Sequence, residues 1–427
     1  MNMNGWTSKQ IKELCAKIEQ IVPQDGEFDQ FTYLDIGCVD NKTKRIVDPK
    51  TIKSKDAPSR ARQLTQDGDI VFSTVRTYLR NIALVPEIHG KIISSTGFVV
   101  LRPLDVLNKK YLFYYLLTDE LINAINKKQI GTSYPAIRKN DLLDYEIRYP
   151  ESIARQQLIV DELDKQFTRL DATINSLQAV KKKLDVYRKS VLKAAFEGKM
   201  CREQPAIHGP SMFSDFMIPR SWKWDVLSTL SKSMKNGIYK PKSYYSDKGT
   251  ICLRMYNIED GRIKLFNLKR MTLSNSDINE YQLQENDILV NRVNSRELVG
   301  KAAVIPSHNE PWVYESKNIR LRIKWDIANS KFVSYWFLLS GNRFFNRNAQ
   351  QTVGMASINQ KQLGNLPIPY VEKDKQESII QEIESRFSVI DKLEETVEKS
   401  LTRAELLRKS ILKSAFEGKL VNMAGEA

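Results

Sequence analysis

The stretch RKSVLKAAFEGKM at residues 188–200 returns as RKSILKSAFEGKL at residues 408–420, identical at 10 of 13 positions and conservatively changed at the other three. The offset of 220 residues holds without a gap back to Gln156, which aligns with Gln376. A match of this length and regularity indicates an internal duplication. The sequence therefore predicts two halves built on one plan.

The repeated segments predict long helices. Residues 151–197 and 372–417 contain no glycine or proline, and Gly198 and Gly418 follow at positions suited to a positive-φ helix cap. A helix of about 42 residues would be ~63 Å long at ~1.5 Å per residue. Apolar residues at heptad-like spacing predict that the two helices pack together, with breaks at Lys181 and Glu394. The packing positions are Leu163, Phe167, Leu170, Ile174, Leu177, Leu184, Val191, Ile383, Phe387, Ile390, Val397, Leu401 and Ile411, with Ala404 in the same series. A long helix packed only on its own domain is the plainer alternative.

The remaining parts of each half diverge in sequence but keep the same order of features. Residues 67–72 (DGDIVF) resemble residues 285–290 (ENDILV), a turn that leads into an apolar strand. Short apolar runs predict further strands among a few helical stretches. These runs lie at 70–72, 98–101, 288–290 and 319–323. The constant parts thus do one job twice, whereas the variable parts do two versions of another.

The predicted fold class is α+β, with two mixed α/β variable domains, a pair of long coiled-coil-like helices and an internal repeat. Residues 201–220 contain three prolines and a glycine and are predicted to link the halves. The predicted boundaries are 1–150 for the first variable domain, 151–200 for the first helix, 201–220 for the linker, 221–371 for the second variable domain, 372–420 for the second helix and 421–427 for the tail.

The charge of the chain predicts a polyanionic partner. The net charge is +15, and residues 201–371 contribute most of it, with 24 Lys and Arg against 14 Asp and Glu. Residues 1–150 carry 22 against 18. An excess in folded parts rather than in a tail indicates a shaped binding surface.

Other composition features favour a cytoplasmic protein. The four cysteines show no CxxC spacing and the three histidines are scattered, so we expect neither a zinc site nor a disulfide framework. The polar start MNMNGWTSKQ is unlike a signal peptide, and no apolar run is long enough to span a bilayer, so no membrane partner is expected.

Motifs for catalysis are absent from the sequence. It has no GxxxxGK[ST] phosphate loop, no GxGxxG and no Asn-Pro-Pro-Tyr or Asp-Pro-Pro-Tyr tetrapeptide, which residues 365–370 only superficially echo. Glu197-Gly-Lys and Glu417-Gly-Lys spell Glu-x-Lys, but neither has the acidic partner motif of a metal-dependent nuclease. We therefore expect no catalytic residues, no metal site and no cofactor in this chain.

Loops after the predicted strands carry residues suited to reading DNA. Arginine can address guanine bidentately, asparagine can address adenine, and lysine anchors phosphates. For any single residue the alternative is an ordinary solvated loop charge. The candidates are Arg76, Tyr78, Arg80, Thr132, Ser133, Tyr134, Lys235, Tyr239, Lys240, Lys242, Arg292, Asn294, Arg296, Ser357, Asn359 and Lys361.

The layout resembles the specificity subunit of type I restriction–modification systems. The resemblance is carried by the duplicated FEGK helix ends at 196–199 and 416–419, by Gln156-Gln157 and Gln376-Glu377, and by the second-half start at 218–222 (IPRSW). It covers the whole chain. The first half departs from the pattern by opening at Trp6 without a proline, and Glu377 replaces the second glutamine.

This resemblance implies a non-catalytic DNA-binding subunit, in which residues 1–150 and 221–371 are two mixed α/β target-recognition domains. A pair of long antiparallel helices would separate them, with an internal pseudo-twofold repeat. Each domain would read one half of a bipartite asymmetric site in double-stranded DNA, while the helices set the spacer and dock two modification subunits. Those partners would bind S-adenosylmethionine and methylate adenine, and restriction subunits would use ATP and Mg²⁺. The alternatives are a structural coiled-coil adaptor without base specificity and an enzyme with an undetected site. Selection of bound sequences from random duplexes separates all three.

Overall fold

The computed structural model describes residues 5–352 and 354–421. It divides into two compact units, unit 1 with Met1–Gln178 and Glu398–Ala427, and unit 2 with Ala179–Val397. The units do not follow chain order. Each one combines a variable part with the first portion of the helix that follows it and the last portion of the other long helix.

Unit 1 contains a four-stranded mixed sheet, a three-stranded antiparallel sheet and a strand pair. This pair joins the first strand of the variable part to its last strand. The strands are β1 Trp6–Gln10, β2 Gln30–Leu34, β3 Val39–Asp40, β4 Arg45–Ile46, β5 Lys50–Lys53, β6 Ala61–Thr65, β7 Ile70–Ser73, β8 Ile82–Leu84, β9 Ile92–Ser95, β10 Phe98–Leu101 and β11 Glu146–Pro150. The helices are α1 Ile11–Leu14, α2 Lys109–Leu116, α3 Asp119–Asn126, α4 Lys139–Leu143 and the first part of α5 Ile153–Phe196. The sheet orders are β5-β2-β9-β6, with β2 and β9 parallel, β10-β7-β8, and β1-β11.

The core of unit 1 lies on both faces of the sheet β10-β7-β8. Ile70 and Phe72 pack toward the helices, and Val71 packs on the opposite side with residues of β2 and β9. Burial on both faces explains why these strands read as continuous apolar runs rather than as alternating patterns.

Unit 2 has the same plan with an additional strand in its central sheet. The strands are β12 Pro205–His208, β13 Met217–Pro219, β14 Lys223–Val226, β15 Ser231–Asn236, β16 Tyr245–Ser246, β17 Thr250–Leu253, β18 Ile258–Glu259, β19 Arg262–Ile263, β20 Lys269–Met271, β21 Ile288–Asn291, β22 Val293–Asn294, β23 Ala302–Val304, β24 Trp312–Tyr314, β25 Asn318–Ile323, β26 Gln350–Thr352, β27 Met355–Ser357 and β28 Pro367–Tyr370. The helices are α6 Leu227–Leu230, α7 Asn275–Tyr281, α8 Ser330–Trp336, α9 Asn342–Asn348, α10 Gln360–Gly364 and the first part of α11 Lys373–Phe416, with a π-helix at Phe337–Gly341. The larger sheet orders are β15-β25-β21-β23, β16-β20-β17-β24 and β22-β27-β26.

The strands predicted from the four apolar runs are confirmed as β7, β10, β21 and β25. The helix-cap glycines are confirmed as well, because Gly198 and Gly418 have φ of 74° and 69°. A Cβ on Gly198 would lie 2.2 Å from Cγ of Pro219. Both the backbone angle and the close approach therefore require glycine there.

Residues 201–220, predicted as a linker, are largely folded into unit 2. The strands β12 and β13 form an antiparallel pair, and the side chains of Phe213 and Phe216 between them are buried in the core. This segment is a packed hairpin and not a free linker, because its aromatic side chains are buried in the core of unit 2.

Equivalent buried ion pairs, one in each unit, support the turns before β7 and β21. Asp69 accepts hydrogen bonds from Nε and Nη2 of Arg102, both at 2.8 Å. Asp287 accepts from Nε and Nη2 of Arg322 at 2.8 and 3.2 Å. The side chains of Asp69 and Asp287 are only 1% and 3% exposed, so each carboxylate depends on its arginine for charge compensation.

A buried glutamine fixes the start of each long helix. Gln156 accepts a hydrogen bond from the backbone N of Asn108 at 2.7 Å and donates to the carbonyl oxygen of Pro150 at 2.8 Å. Gln376 accepts from the backbone N of Asn329 at 2.9 Å and donates to Val371 at 2.7 Å. These bonds tie each helix to the domain that precedes it, which explains why the glutamine is kept in both copies.

The two helices run antiparallel within unit 2. Lys375, at the start of α11, contacts Glu203 beyond the end of α5 at 2.7 Å, whereas Asp391, further along α11, accepts from Arg188 of α5 at 2.8 Å. The guanidinium of Arg188 also lies 4.6 Å from the ring centroid of Phe387.

Unit 1 repeats this contact at the 220-residue offset. Arg408 of α11 pairs with Asp171 of α5, and its guanidinium lies 4.7 Å from the ring centroid of Phe167. Duplication has therefore preserved an ion pair and a cation–π contact together, once in each unit.

The phenylalanine of each FEGK motif packs against the domain of the other half of the chain. Phe416 packs edge-on against Tyr111 and Tyr115 of α2, with ring centroids 5.1 and 4.9 Å apart. Phe196 packs against Phe332 and Trp336 of α8 at 4.9 and 5.0 Å. Each long helix therefore completes the core of the unit at its far end.

Candidate nucleic-acid interface

Two loops of unit 1 are joined into one surface. Residues 73–80 follow β7, and residues 130–137 precede α4. The backbone N of Ile137 donates to Thr74 at 2.9 Å, and that of Arg76 donates to Pro135 at 2.7 Å. The side chain of Arg76 continues the contact, because its Nη2 donates to the carbonyl oxygen of Ser133 at 3.0 Å and its guanidinium lies 4.5 Å from the ring centroid of Tyr134.

This joined surface presents aromatic and polar groups to solvent. Tyr134 is 71% exposed and Tyr78 is 50% exposed, and Thr132 and Ser133 are also exposed. Exposed aromatic side chains beside basic ones are suited to contact with nucleic acid.

Arg76 and Arg80 flank a single 3-10 turn in left-handed backbone conformations, with φ of 49° and 52°. Such angles are uncommon for side chains other than glycine, asparagine and aspartate, and they cluster at functional sites. The two side chains differ, however. That of Arg80 turns into unit 1, where it donates to the carbonyl oxygen of Leu117 at 2.9 Å and pairs with Asp119.

Unit 2 joins its loops in the same way. Strand β22 pairs with β27, so that Val293 lies opposite Ser357. The backbone N of Ile358 donates to Arg292 at 2.9 Å, and Nη1 of Arg292 donates to the carbonyl oxygen of Ser316 at 3.1 Å. The structure therefore brings the predicted Arg292 and Ser357 together.

Two predicted base readers of unit 2 already make hydrogen bonds within the domain, Asn294 as a buried residue and Asn359 as an exposed one. Asn294 is 9% exposed and donates from Nδ2 to Oδ1 of Asn291 at 2.8 Å. Asn359 caps helix α10 by accepting from the backbone N of Gln362 at 2.8 Å. Each amide fixes the loop, so DNA contact by either residue stays a prediction that requires it to change partner.

Arg296 and Lys361 lie on the exposed side of the same loops. Nε of Arg296 donates to the amide oxygen of Asn346, which tethers the guanidinium to α9. Lys361 lies on α10, one residue beyond Gln360, whose Nε2 donates to Asn236 at 3.3 Å. Through that bond the end of β15 joins the surface.

The remaining candidates lie on the end of β15, where Lys235 is, and on the loop that follows it. Tyr239 is 81% exposed and Lys242 is exposed. Lys235 pairs with Glu280 at 2.8 Å, and Lys240 pairs with Asp277 at 3.0 Å. Partly exposed ion pairs are weak, so these lysines can exchange a carboxylate for a phosphate at little cost.

Most of the predicted helix-packing residues are buried, and the others are partly buried. The buried ones are Leu163, Phe167, Leu170, Leu184, Val191, Ile383, Phe387, Ile390, Val397 and Ile411. Those of intermediate exposure are Ile174, Leu177 and Leu401.

Two observations on the described residues concern metal binding and thiol chemistry. These residues contain no cluster of three or more histidine, cysteine, aspartate or glutamate side chains able to hold a metal. Burial raises the pKa of Cys15 and Cys252 to about 12 and that of Cys38 to about 11. These thiols stay protonated at neutral pH and are poor nucleophiles.

Two features lay beyond the sequence analysis. Lys44 donates from Nζ to the carbonyl oxygen of Arg80 at 2.7 Å, and burial lowers its pKa to about 8. Exposed Tyr256 and Phe266 lie beside Arg254 in unit 2. The only sequence signal for the second feature was aromatic residues interleaved with basic ones at 254–270.

No helix in the described ranges combines the length and apolarity needed to cross a membrane.

Comparison with known proteins follows the duplication. The family model for the type I restriction modification DNA specificity domain matches residues 3–182 and 222–403. The type I restriction enzyme StySPI specificity subunit of Salmonella potsdam is 28% identical over 322 residues, which cover 75% of this chain and 67% of that protein. The EcoBI specificity subunit of Escherichia coli is 24% identical over 323 residues, covering 74% of this chain and 66% of that protein. The alignments span about two thirds of these relatives.

Solved structures share the fold along nearly the whole chain. One, described as the structural basis of complex assembly and conformational transition of the type I R-M system, has a TM-score of 0.79 at 23% identity and covers 97% of this chain and 98% of that chain. The HsdS subunit from Thermoanaerobacter tengcongensis has a TM-score of 0.53 at 24% identity, with 98% of both chains covered.

The duplicated domains, joined loops and long helices define a two-domain recognition protein. The chain belongs to the type I restriction modification DNA specificity family. Its role is DNA sequence specificity.

Proposed function

We propose that each unit reads one half of a bipartite, asymmetric site in double-stranded DNA through its joined loops. The observation that carries this proposal is that both units bring the same two loops together, at Val75 and Ala136 in unit 1 and at Val293 and Ser357 in unit 2, but surround them with different side chains. One scaffold with two different reading surfaces suits a site whose halves differ in sequence.

Exchange of one domain tests this proposal. Residues 1–150 are replaced by the corresponding domain of a relative, and bound sequences are selected from random duplexes by the full chain with its partner subunits. One side of the consensus should change and the other should stay. The matched control exchanges residues 221–371 and should change the opposite side. A consensus altered on both sides by either exchange contradicts the modular reading, and no consensus at all favours the adaptor alternative.

The long helices are proposed to dock two copies of the modification subunit. Each carries an exposed apolar pair at the 220-residue offset. Val186 and Tyr187 are 67% and 46% exposed, and Leu406 and Leu407 are 61% and 49% exposed. A patch present twice at equivalent positions suits two copies of one partner.

Serine substitution of the apolar pairs tests the docking. Changing Leu406 and Leu407 to serine should lower the stoichiometry of the complex from two modification subunits to one, measured by light scattering. Changing all four residues should abolish assembly. The control Val389→Ser, at an exposed site with no apolar counterpart at the offset, should assemble normally.

We also propose that one continuous antiparallel helix pair sets the nonspecific spacer between the half-sites. The support is the Arg188–Asp391 contact and its repeat at Arg408–Asp171, one in each unit. Inserting four residues after Ala179 adds ~6 Å of helix, so the spacer should lengthen by one or two base pairs while both half-sites stay unchanged. A tolerated insertion with an unchanged spacer overturns this role.

Catalysis is proposed to reside in the partners. S-adenosylmethionine is assigned to the modification subunits, and ATP and Mg²⁺ to restriction subunits, all in the cytoplasm where the DNA lies. The purified chain should bind DNA weakly and transfer no methyl group from S-adenosylmethionine to DNA. Methyl transfer by the chain alone would overturn this assignment.

A further inference from the structure

A second concave surface lies beside the predicted reading loops of unit 2. It encloses about 460 Å³, and its walls include Arg254, Tyr256, Phe266, Asn267 and Lys301. None of these residues belongs to the predicted DNA-reading set.

Arg254 at this surface has an unsatisfied donor. Its guanidinium lies 5.4 Å from the ring centroid of Tyr256, and Nη2 donates to the carbonyl oxygen of Asn267 at 3.4 Å. Nε is buried and finds no acceptor among the described residues. A buried N–H without an acceptor is unfavourable, so an acceptor supplied by a ligand would stabilise this side chain.

The rim of the concavity is apolar. Tyr256 and Phe266, which line it, are 59% and 57% exposed. One carboxylate, Glu259, lines the same wall, and Lys264 lies 4.0 Å from it, which offsets its charge. The surface thus offers cationic donors beside flat apolar faces, a combination that fits a nucleotide better than a metal or an acidic peptide.

The concavity is continuous with the reading loops. The backbone N of Met255 donates to Oε1 of Glu315 at 2.9 Å, and Arg292 donates to the adjoining Ser316. The loop residues Asn294 and Leu298 also line the concavity. A duplex held by the loops therefore has its backbone within reach of this surface.

Unit 1 has a concavity at the equivalent place with different chemistry. It encloses about 550 Å³ after strand β2, and its walls include Asp35, Asp48, Lys50 and Arg60. Lys50 lies 3.7 Å from Asp35, so its charge is already compensated. The concavity lined by cationic and aromatic side chains is the one in unit 2, which is also the half with the larger positive charge.

We propose that the unit 2 concavity is a second DNA contact, in which Arg254 and Lys301 hold one phosphate and Tyr256 and Phe266 pack on the adjoining deoxyribose. It extends the reading surface of the second domain only. This inference rests on the proposed function, because it takes the ligand to be the DNA that the loops bind.

The test measures binding of the full chain to a 40-base-pair duplex selected from a random library, as a function of salt. Arg254→Ala should weaken binding about tenfold and lower the magnitude of the salt slope by about one, because one phosphate contact is lost. Tyr256→Ala with Phe266→Ala should weaken binding about fivefold or more with the slope unchanged. The matched control Lys50→Ala, in the unit 1 concavity, should stay within twofold.

Thermal unfolding of each variant separates misfolding from lost contact. If Arg254→Ala unfolds the domain, DNA binding by the double variant of Tyr256 and Phe266 tests the proposal instead, because these exposed side chains can be removed without disturbing the core. Wild-type binding by the folded aromatic double variant and by folded Arg254→Ala overturns the proposal. Unchanged DNA binding with lost assembly of modification subunits also overturns it and assigns the surface to protein. If Arg292→Ala weakens binding and Arg254→Ala does not, the proposed function stands and this inference alone fails; if the chain binds no DNA, both fail.

Discussion

The helix contacts and the reading loops of this chain have diverged to very different extents since the duplication. Arg188 and Arg408 each lie over a phenylalanine and pair with an aspartate at the same offset. In the loops, Arg76 stacks on exposed Tyr134, whereas Arg292 donates to backbone carbonyls and adjoins a buried asparagine network.

The difference shows which requirement each part meets. Packing between helices depends on shape and charge that both copies need equally, so little can change. The loops need only a common backbone frame, supplied by the bridge between them, and their side chains are free to suit different bases.

The largest expected effect on stability comes from substitutions in the conserved packing of the helix ends. Phe416→Ala and Phe196→Ala each remove a ring packed between aromatic neighbours, and each should lower the free energy of unfolding by about 3–5 kcal/mol. Urea unfolding followed by circular dichroism measures the loss. Leu407→Ala, at an exposed site, should change it by less than about 0.5 kcal/mol. Very unequal losses for the two phenylalanines would contradict equivalent roles.

The buried ion pairs come next. Asp69→Ala and Asp287→Ala each leave a partly buried arginine without its counter-charge, so each should cost about 3 kcal/mol in the same urea experiment. The control Asp105→Ala, at an exposed site, should cost little. A loss below about 1 kcal/mol would show that solvent compensates the arginine.

Substitutions in the diverged loops should change DNA binding and leave the free energy of unfolding nearly unchanged. Arg76→Ala should cost about 1–3 kcal/mol in binding and relax one base position of the first half-site if the guanidinium is bidentate. Arg292→Ala should do the same in the second half-site. Selection from random duplexes measures both. A uniform loss across all sequences would assign either arginine to a phosphate instead.

The smallest effect concerns Lys44, whose pKa is lowered to about 8 by burial and by the nearby Arg80 and Arg408, with Asp40 acting in the opposite direction. A depressed lysine pKa means that the charged form destabilises the native state below pH 8, and that this penalty fades as pH rises above 8. Lys44→Met should therefore be more favourable at pH 7 than at pH 9.5, by about 1 kcal/mol or less after solvent screening. The difference in melting temperature at the two pH values measures it, and a pH-independent difference contradicts the assignment.

The repeat made much of the fold predictable. Identical residues at a fixed offset, unbroken helix-forming stretches and apolar runs predict the long helices, the cap glycines and strands β7, β10, β21 and β25. Local sequence determines these features, because helix periodicity and glycine caps depend on near neighbours.

Other features depend on partners distant in sequence. Nothing near Phe416 shows that its socket is formed by Tyr111 and Tyr115. Likewise, Asn294 looks like a base reader in a polar loop, and only the buried neighbours Asn291 and Asn318 show that its network faces inward. The sequence can thus assign candidate reading residues to loops, but the direction of each side chain is decided by tertiary packing.

The placement of Phe416 in unit 1 has a consequence for protein synthesis. The core of unit 1 is completed by the last turn of α11, which is synthesised about 240 residues after Gln178, the end of the first segment of this unit. At ~5–20 residues per second, the socket formed by Tyr111 and Tyr115 stays open for roughly 10–50 s. Throughout that interval the nascent chain exposes an apolar site that chaperones can bind. A premature stop anywhere in the second half would leave the first half unfinished.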